Sequence, residues 1–358
     1  MKFSEMPYTR PDAEALKKQM SQLTERLQNA ASYEEARQVF LEKEAASRTV
    51  ETQATLASIR HSIDTRDTFY DGEEKFWNTF GPELEEYEQA WKAAMLDSPF
   101  RKDFSAEYGD LMFLNAEIAR KCFKPEIIPE MQQENDLTQE YEKLLASAQI
   151  PFEGKTYTLS QLTPLKSDPD DARRLAAWQA DAKWSMEHAA ELDELYDKLV
   201  HLRDSMGKKM GYEGYTTLGY YRMNRNCYTK EDVEKFRAAV QKYLVPVADK
   251  ICRKQAERLG KTYPLSFADL ALEFRSGNPR PMGTPDDILA QGMKFYGELS
   301  PETKVFFRTM LDNELLDVLS TEGKQAGGYC TNLGDYEVPF IFANFNGTQH
   351  DVEVVTHE

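Results

Sequence analysis

The stretch GGYCTNLGDYEVPFIFANFNGTQHDVEVVTHE, residues 327–358, decides the fold predicted around the functional region of this chain. Two strand-like runs flank the turn-forming sequence TNLGD at residues 331–335. The second run, residues 338–345, is apolar at both alternating sets of positions, which is typical of a strand buried beneath helices. Asn346-Gly347 ends this run, so we predict a small sheet that is packed under helices.

A helix is predicted to begin directly after this sheet. Thr348 precedes it as a cap and Asp351 stands three residues later, so the hydroxyl and the carboxylate can satisfy free amides of the first turn. His357 then falls on the third turn, where a rigid element can hold a metal ligand, and Glu358 follows it. Taken alone, this His-Glu pair is uninformative, because such pairs arise by chance in an acid-rich chain with five histidines.

The rest of the chain indicates a mostly α-helical protein. Residues 11–148 are rich in Glu, Gln, Ala, Leu and Lys, which lose little side-chain freedom in a helix. The first break is IPFEGKTYTLSQL at residues 150–162, where a Glu-Gly pair separates two short runs as in a hairpin. We therefore predict an N-terminal helical domain at residues 1–150 and a second domain at residues 151–358.

Four further helices are predicted in the second domain. One begins after Pro169, and another starts at the capping residue Thr229 and ends at Gly260. The last two are expected at residues 284–298 and 301–319. In the first of the four, apolar residues recur every three or four positions and predict a packing face: Leu175, Trp178, Ala182, Met186, Ala189, Leu192, Tyr196, Leu199 and Leu202.

Composition excludes several classes of function. The formal net charge of −17 argues against nucleic acid as a partner, because binding its phosphates needs clustered Lys and Arg. The apolar run at residues 338–343 is far shorter than the roughly 20 residues of a membrane span, and the N-terminus has no apolar secretory segment. Cys122, Cys227, Cys252 and Cys330 include no CxxC pair, which fits a reducing cytoplasm. The sequence leaves the oligomeric state open.

A family resemblance gives this pattern a meaning. A Gly-Gly-Tyr strand, a turn, the apolar PFI run, ANFNGT, an acidic residue and His-Glu follow in the order found in the M3 family of zinc oligopeptidases. The chain resembles the oligoendopeptidase F and Pz-peptidase branch in particular, and LGYYRMNRNCYTKEDVEKFR at residues 218–237 extends the resemblance. The similarity covers most of residues 150–358, and residues 1–150 by helical character only. It implies a multi-helix, two-lobed peptidase fold with a small β-sheet next to the zinc helix.

The resemblance also implies a chemistry, namely the hydrolysis of short peptides by a metalloendopeptidase that uses one Zn²⁺ ion. His357 matches the first zinc ligand of the family. Glu358 matches the general base, which takes a proton from the metal-bound water as that water attacks a peptide carbonyl. The same residue later passes the proton to the leaving amine.

A substrate-binding edge strand is implied at Gly327, Gly328, Tyr329 and Cys330, which match the family's strand beside the bound peptide. Glycine suits this place, since a peptide that adds itself as an extra strand needs close backbone approach and free N–H and C=O groups. A plain turn is the alternative interpretation of Gly327-Gly328.

Two other residues of the final helix are candidates for a supporting role in the site. Asp351 either orients the zinc helix or serves only as its capping carboxylate, and the sequence favours neither interpretation. His350 lies two turns before His357, about 10 Å away, which is too far for both to hold one ion. We therefore expect His350 to be a surface or supporting residue.

The resemblance predicts that this chain carries an incomplete site. The second histidine, the third ligand and the downstream Tyr and His of the family are absent, and one histidine cannot hold catalytic zinc because such sites use three protein ligands. We therefore expect the N-terminal portion of an M3 peptidase, ending inside HExxH with a truncated catalytic domain, and inactive alone.

A non-catalytic helical peptide-binding or scaffold module is the alternative. Against it, Val352 and Val355 would need a packing partner in a helix that stops here, and its last carbonyls would lack a cap.

Overall fold

A computed structural model describes all 358 residues and shows a mostly α-helical fold, which confirms the predicted fold class. The helices are α1 (Ala13–Gln28), α2 (Tyr33–Ile63), α3 (Thr68–Asp97), α4 (Arg101–Tyr108), α5 (Leu111–Ala119), α6 (Ile128–Ala146), α7 (Leu159–Leu162), α8 (Asp171–Glu187), α9 (Ala189–Lys209), α10 (Tyr215–Arg222), α11 (Lys230–Ala239), α12 (Val245–Leu259), α13 (Pro285–Leu299), α14 (Pro301–Asp312) and α15 (Gln349–His357). The strands are β1 (Ile150–Phe152), β2 (Lys155–Tyr157), β3 (Leu316–Leu319), β4 (Tyr329–Leu333) and β5 (Val338–Phe345).

Polar caps explain where the first long helices begin. The Asp12 side chain accepts a 2.9 Å hydrogen bond from the amide of Ala15 at the start of α1. At the start of α2, the Ser32 hydroxyl accepts one of 3.3 Å from the amide of Glu35. Each cap satisfies an amide that has no partner within the helix and stabilises it by about 1 kcal/mol.

The predicted hairpin near residue 150 is confirmed. Strands β1 and β2 pair antiparallel, and Glu153 and Gly154 link them with φ angles of 47° and 77°. Positive φ at both central residues is the geometry of the tightest hairpin turn, and glycine adopts it without steric cost.

The second sheet has three strands in the order β3-β5-β4. The central strand β5 runs parallel to β3 and antiparallel to β4. Phe340, Ile341, Phe342 and Ala343 of β5 are at most 3% exposed, so consecutive residues are buried on both faces, as predicted. The prediction of a single helix at residues 301–319 was wrong in its last part, because residues 316–319 form a strand.

That last part is strand β3. The helix α14 ends at Asp312, Glu314 takes a positive φ of 54°, and the chain then extends into β3. Pairing with β5 stabilises the strand conformation of Leu316–Leu319. This contact lies more than 20 residues away in the sequence, so local helix propensity does not decide the outcome.

The main hydrophobic core joins the N-terminus to this sheet. The Phe3 and Phe340 rings have centroids 4.3 Å apart, and Leu56 and Ile59 of α2 are at most 1% exposed in the same cluster. The core thereby fixes β4 and β5 against α2. Because this cluster spans both predicted domains, they pack together, while the boundary near residue 150 stays a prediction.

The helix predicted from Pro169 onward is two helices, α8 and α9, which meet at His188. The His188 ring stacks on Trp184, and its Nδ1 lies 2.8 Å from the Trp184 carbonyl oxygen. The predicted packing face is only partly correct, because Leu175, Met186 and Tyr196 are 48%, 78% and 73% exposed. A spacing pattern counted through a helix break loses its phase, which accounts for part of this error.

The helix predicted between Thr229 and Gly260 has both of its expected ends. Thr229 caps α11 through the amide of Asp232, and Gly260 ends α12 with a φ of 70°. A π-helical segment at residues 240–244 joins α11 to α12.

Candidate functional site

The helix α15 begins at the predicted place but with a different cap. Thr348 occupies the capping position, yet its hydroxyl makes no bond to a first-turn amide and instead donates to Asn346 Oδ1 at 2.8 Å. The Asp351 carboxylate accepts bonds from the amides of Asn346 and Gly347, the second at 2.7 Å. The prediction that the Thr348 hydroxyl caps the helix is therefore wrong. The Asp351 carboxylate makes the hydrogen bonds that hold the start of this helix.

Asp351 is 2% exposed, and its burial raises the pKa of the carboxyl group, while the amides of Asn346 and Gly347 oppose this shift. A buried carboxylate is tolerated because backbone donors satisfy it. The contacts of Asp351 thus agree with its interpretation as a capping carboxylate. That Asp351 orients a metal ligand stays a prediction.

The end of α15 is packed and carries the two predicted catalytic-site residues. Val355 is 5% exposed and belongs to a hydrophobic cluster with Ile288 and Phe307. The Tyr296 hydroxyl donates to the carbonyl oxygens of Val355 and Thr356, at 3.4 and 3.3 Å. The expectation that this helix end lacks packing partners and caps was therefore wrong, and it no longer argues against a non-catalytic module.

His357 and Glu358 lie at the outer end of this helix. The His357 side chain is exposed and makes no hydrogen bond within the chain, so its imidazole nitrogens are open to a ligand. His350 is also exposed, and its Nδ1 lies 3.4 Å from a carboxylate oxygen of Glu353. His350 and His357 are therefore separate surface residues, as expected.

Gly327, Gly328, Tyr329 and Cys330 lead into an edge strand, β4. Both glycines and Cys330 are exposed. No residue from 328 to 332 makes a backbone hydrogen bond to any group outside the sheet. The outer side of β4 therefore presents free N–H and C=O groups at alternate residues, which is the arrangement that an added strand needs.

The edge strand β4 and the helix α15 both contact the central strand β5. Burial raises the pKa of the Cys330 thiol, and the negative charge of Glu358 raises it further. The charge of Glu358 therefore acts on the predicted peptide edge, although Cys330 lies 28 residues earlier in the sequence.

Tyr329 also lines a polar cavity of about 390 Å³. Burial raises the pKa of the Tyr329 hydroxyl to about 12, and the carboxylates of Glu74 and Glu142 contribute to this shift. Burial, followed by the charges of Glu142 and Asp71, raises the pKa of Glu74 to about 7. The cavity is lined by Ser58, His61, Ser62, Glu74, Asn78, Glu134, Asn135, Thr138, Gln139, Glu142, Arg203, Arg222, Gln325 and Tyr329.

This cavity was missed by sequence reasoning. Its residues come from the helices α2, α3, α6, α9 and α10, from the segment before β4, and from β4 itself. Glutamates on long helices are read as surface residues, and no spacing rule links Glu74 on α3 to Glu142 on α6. Only the packing of the helices shows that both carboxylates line one cavity.

The residues of this chain do not form a zinc site by themselves. No group of three or more His, Cys, Asp or Glu side chains is arranged to hold a metal ion. Zinc in catalytic sites uses three protein ligands, whereas the end of α15 supplies one histidine.

Comparison with known proteins decides the family. A model of the Peptidase M3 N-terminal domain matches residues 3–123. The structure of Pz peptidase A with an inhibitor covers the whole chain, with 41% identity and a TM-score of 0.98. The chain belongs to the M3 peptidase family. A protein from Bacillus anthracis str. Ames assigned as an oligoendopeptidase F also covers the whole M3 chain, with 40% identity and a TM-score of 0.98.

A second protein assigned as an oligoendopeptidase F matches at 39% identity, again with a TM-score of 0.98. The M3 chain spans less than two thirds of each relative: 63% of Pz peptidase A, 63% of this second protein and 66% of the B. anthracis protein. No curated protein gives a significant match. None of the helices of the M3 chain has the length and apolar character of a membrane span.

Proposed function

We propose that this chain forms the peptide-binding part of a zinc-dependent M3 oligopeptidase that hydrolyses internal bonds of short peptides. The observation that carries the proposal is the open outer edge of β4. The charge of Glu358, which follows α15, also acts on Cys330 of this strand. The likeness to Pz peptidase A and to the oligoendopeptidase F structures supports the reaction class.

In this proposal the peptide lies along β4 as an additional strand, next to Gly327, Gly328, Tyr329 and Cys330. Backbone hydrogen bonds then supply affinity that is independent of the peptide sequence. The two glycines leave space for the approaching backbone, because neither has a side chain on the exposed surface. The peptide carbonyl is presented toward the end of α15.

His357 is proposed as one protein ligand to zinc, and Glu358 as the general base. The exposed imidazole of His357 is available for coordination. The Glu358 carboxylate takes a proton from the attacking water and returns it to the leaving amine. Asp351 supports both residues by anchoring the first turn of the helix that carries them.

We also place this function in the cytoplasm. All four cysteines are free, and Cys227 and Cys330 are exposed, which fits a reducing compartment. Fractionation of cells that express the natural gene checks this location.

Peptide binding is tested by fluorescence anisotropy with a panel of labelled peptides of about eight residues. Each peptide is compared with a copy that has N-methylated backbone amides, which cannot donate hydrogen bonds to an edge strand. We expect the N-methylated copies to bind at least about tenfold more weakly. Equal affinities for the two forms would contradict binding along β4.

Catalysis is tested on the protein expressed from its natural gene, with quenched fluorescent peptides and added zinc. Glu358→Gln is expected to lower kcat by at least about 100-fold while peptide affinity is kept. Unchanged hydrolysis in this variant would remove Glu358 from the mechanism. Peptide binding without any zinc-dependent hydrolysis in the unmodified protein would favour the alternative, a non-catalytic peptide-binding module.

A further inference from the structure

The segment that leads into β4 is attached to its surroundings by side chains as well as by the sheet. The amide of Gln325 donates to the Ser62 carbonyl oxygen at 2.9 Å, and the Ser62 hydroxyl donates to Gln325 Oε1 at 2.7 Å. These two bonds tie the segment to the end of α2. On the other side, Asn344 of β5 contacts the same segment.

Asn344 makes two hydrogen bonds with one side-chain nitrogen. Its Nδ2 donates to the carbonyl oxygens of Gln325 and Gly327, both at 2.9 Å. A side-chain amide has two N–H groups, so each carbonyl receives its own donor. Asn344 therefore holds two backbone groups that lie four and two residues before Tyr329, the first paired residue of β4.

The position of Asn344 in the ladder explains this contact. Tyr329 pairs with Phe342, and the backbone pairing of β4 with β5 ends there. If the same antiparallel register continued by two residues, Gly327 would lie opposite Asn344. The side chain of Asn344 thus substitutes for the ladder at the point where backbone pairing stops.

The backbone that Asn344 holds has a special shape. Gly327 has a φ of 93°, a conformation that other residues adopt with strain. At Gly328, a Cβ atom would lie 3.1 Å from the Phe342 carbonyl oxygen, closer than most such contacts. Two flexible glycines at a strand end would sample many conformations without a tether.

We propose that Asn344 is a positioning residue for peptide binding, which keeps Gly327 and Gly328 in the conformation that extends the open edge of β4. The inference rests on the proposed function and adds a residue that fixes the geometry of the substrate-binding edge. Asn344 touches no peptide in this account, and it acts through the backbone of the two glycines. Ordering this backbone in advance lowers the entropy that peptide binding would otherwise lose.

The predicted effect is separable from overall stability. Gly327 and Gly328 are exposed, so water replaces the donor that the Gly327 carbonyl loses when Asn344 is changed. Gln325 is half-buried and keeps its two bonds to Ser62 in such a variant. Asn344 and the two glycines are not part of the hydrophobic core cluster that contains Phe340 and Phe342. Removing the tether is therefore expected to loosen the edge while the fold is retained.

The test compares Asn344→Asp with Asn313→Asp. Each variant keeps the side-chain shape and removes an amide donor to a carbonyl, because Asn313 Nδ2 donates to the Thr309 carbonyl oxygen at 2.9 Å. Asn313 follows α14 and makes no contact with the edge strand, so it serves as the matched control. Peptide affinity is measured by anisotropy with the labelled peptides, and amide hydrogen exchange is measured in the free protein.

We expect Asn344→Asp to weaken peptide binding about tenfold and to speed exchange at residues 327–330 by a similar factor, with neither change in Asn313→Asp. If Asn344→Asp does not fold, Asn344→Ala provides the same comparison, since it removes the donor without adding a charge. Unchanged affinity and exchange in the folded Asn344 variant would overturn the inference alone. Failure of the unmodified protein to bind any peptide would instead overturn the proposed function, and the inference with it.

Discussion

The Tyr329 ring of the edge strand stacks on the Phe342 ring of the central strand, with centroids 4.8 Å apart and planes 8° from parallel. Phe342 is fully buried, so this stack fixes the first side chain of β4 to the core. The Lys324 ammonium group also lies 4.6 Å from the Phe342 ring centroid. Phe342 of the neighbouring strand thus contacts both the first side chain of the proposed peptide edge and Lys324.

A double-mutant cycle tests the strength of this stack. We expect Tyr329→Leu and Phe342→Leu to be coupled by about 1 kcal/mol in the free energy of unfolding, the usual value for an aromatic pair. Urea denaturation of the two single variants and the double variant measures this coupling. A second cycle with Tyr329→Leu and Phe345→Leu serves as the control, because Phe345 belongs to a different cluster and additivity is expected there.

Lys324→Met tests the buried lysine beneath the same sheet. The Lys324 side chain is fully buried, pairs with the Asp317 carboxylate and donates to the carbonyl oxygens of Asp317 and Leu319 at 3.1 and 2.8 Å. We expect the variant to lose roughly 2 to 4 kcal/mol of unfolding free energy, because these acceptors are left without a donor. Lys183→Met is the control, since Lys183 is 74% exposed and its change should cost less than about 0.5 kcal/mol.

The pH dependence of stability, compared between the unmodified protein and Lys324→Met, gives a second measurement. Burial lowers the pKa of Lys324 below its ordinary value, against the attraction of Asp317. In the window between the folded pKa and the ordinary value of 10.5, the unfolded chain binds more protons. The free energy of unfolding is therefore expected to increase as pH rises through this window, and Lys324→Met should lack this increase.

Glu74→Gln tests the buried carboxyl group in the polar cavity. Its pKa is raised from 4.5 to about 7, so the folded protein binds an extra proton between these values. Stability should fall as pH rises through this window, since the folded state then has to ionise a buried group. The variant should match the unmodified protein near pH 4 and be more stable at pH 8, by up to roughly 3 kcal/mol.

Thermal unfolding between pH 4 and pH 8 measures this difference. Glu86→Gln is the matched control, because Glu86 lies on the same helix, α3, but faces solvent without an ion pair. A pH profile of Glu74→Gln that parallels that of the unmodified protein would show that Glu74 ionises normally in the folded state.

Arg174→Lys tests the attachment of the irregular segment at residues 261–277. The Arg174 side chain is 1% exposed, donates to the carbonyl oxygens of Asp168 and Ala268 at 2.7 and 3.1 Å, and pairs with Asp269. A lysine cannot reproduce this planar set of donors, so we expect a loss of about 3 kcal/mol and faster proteolysis within the segment. Its neighbour Arg173 is 40% exposed, and Arg173→Lys should cost less than about 1 kcal/mol.

Much of the fold could be predicted because local sequence determines it. The hairpin at Glu153-Gly154 follows from a turn that glycine favours, and the helix ends at Thr229 and Gly260 follow from capping chemistry. The strand at residues 338–345 is apolar on both faces, and the structure buries it on both faces. In each case the residues that decide the structure are neighbours in the chain.

The features that the sequence predicted wrongly or did not reveal depend on contacts between residues that are far apart in the chain. Strand β3 exists because Leu316 and Asp317 pair with Ile341 and Phe342, which a local pattern does not contain. The cavity around Glu74 depends on helices that are distant in the chain. The Asn344 tether likewise requires knowledge of the register between β4 and β5. Non-local packing decided each of these features, and a single sequence carries no direct signal for it.

The first residues of this chain complete a core whose other half follows more than 300 residues later in the sequence. The Met1 ammonium group donates to Asn313 Oδ1 at 2.9 Å, 312 residues later, and Phe3 packs on Phe340. On a ribosome that adds roughly 5 to 20 residues each second, the N-terminal arm waits about 15 to 60 seconds for these partners. During that time its apolar residues are exposed on the nascent chain. The N-terminal segment therefore packs onto its partners late during synthesis, and a chaperone can bind it before then.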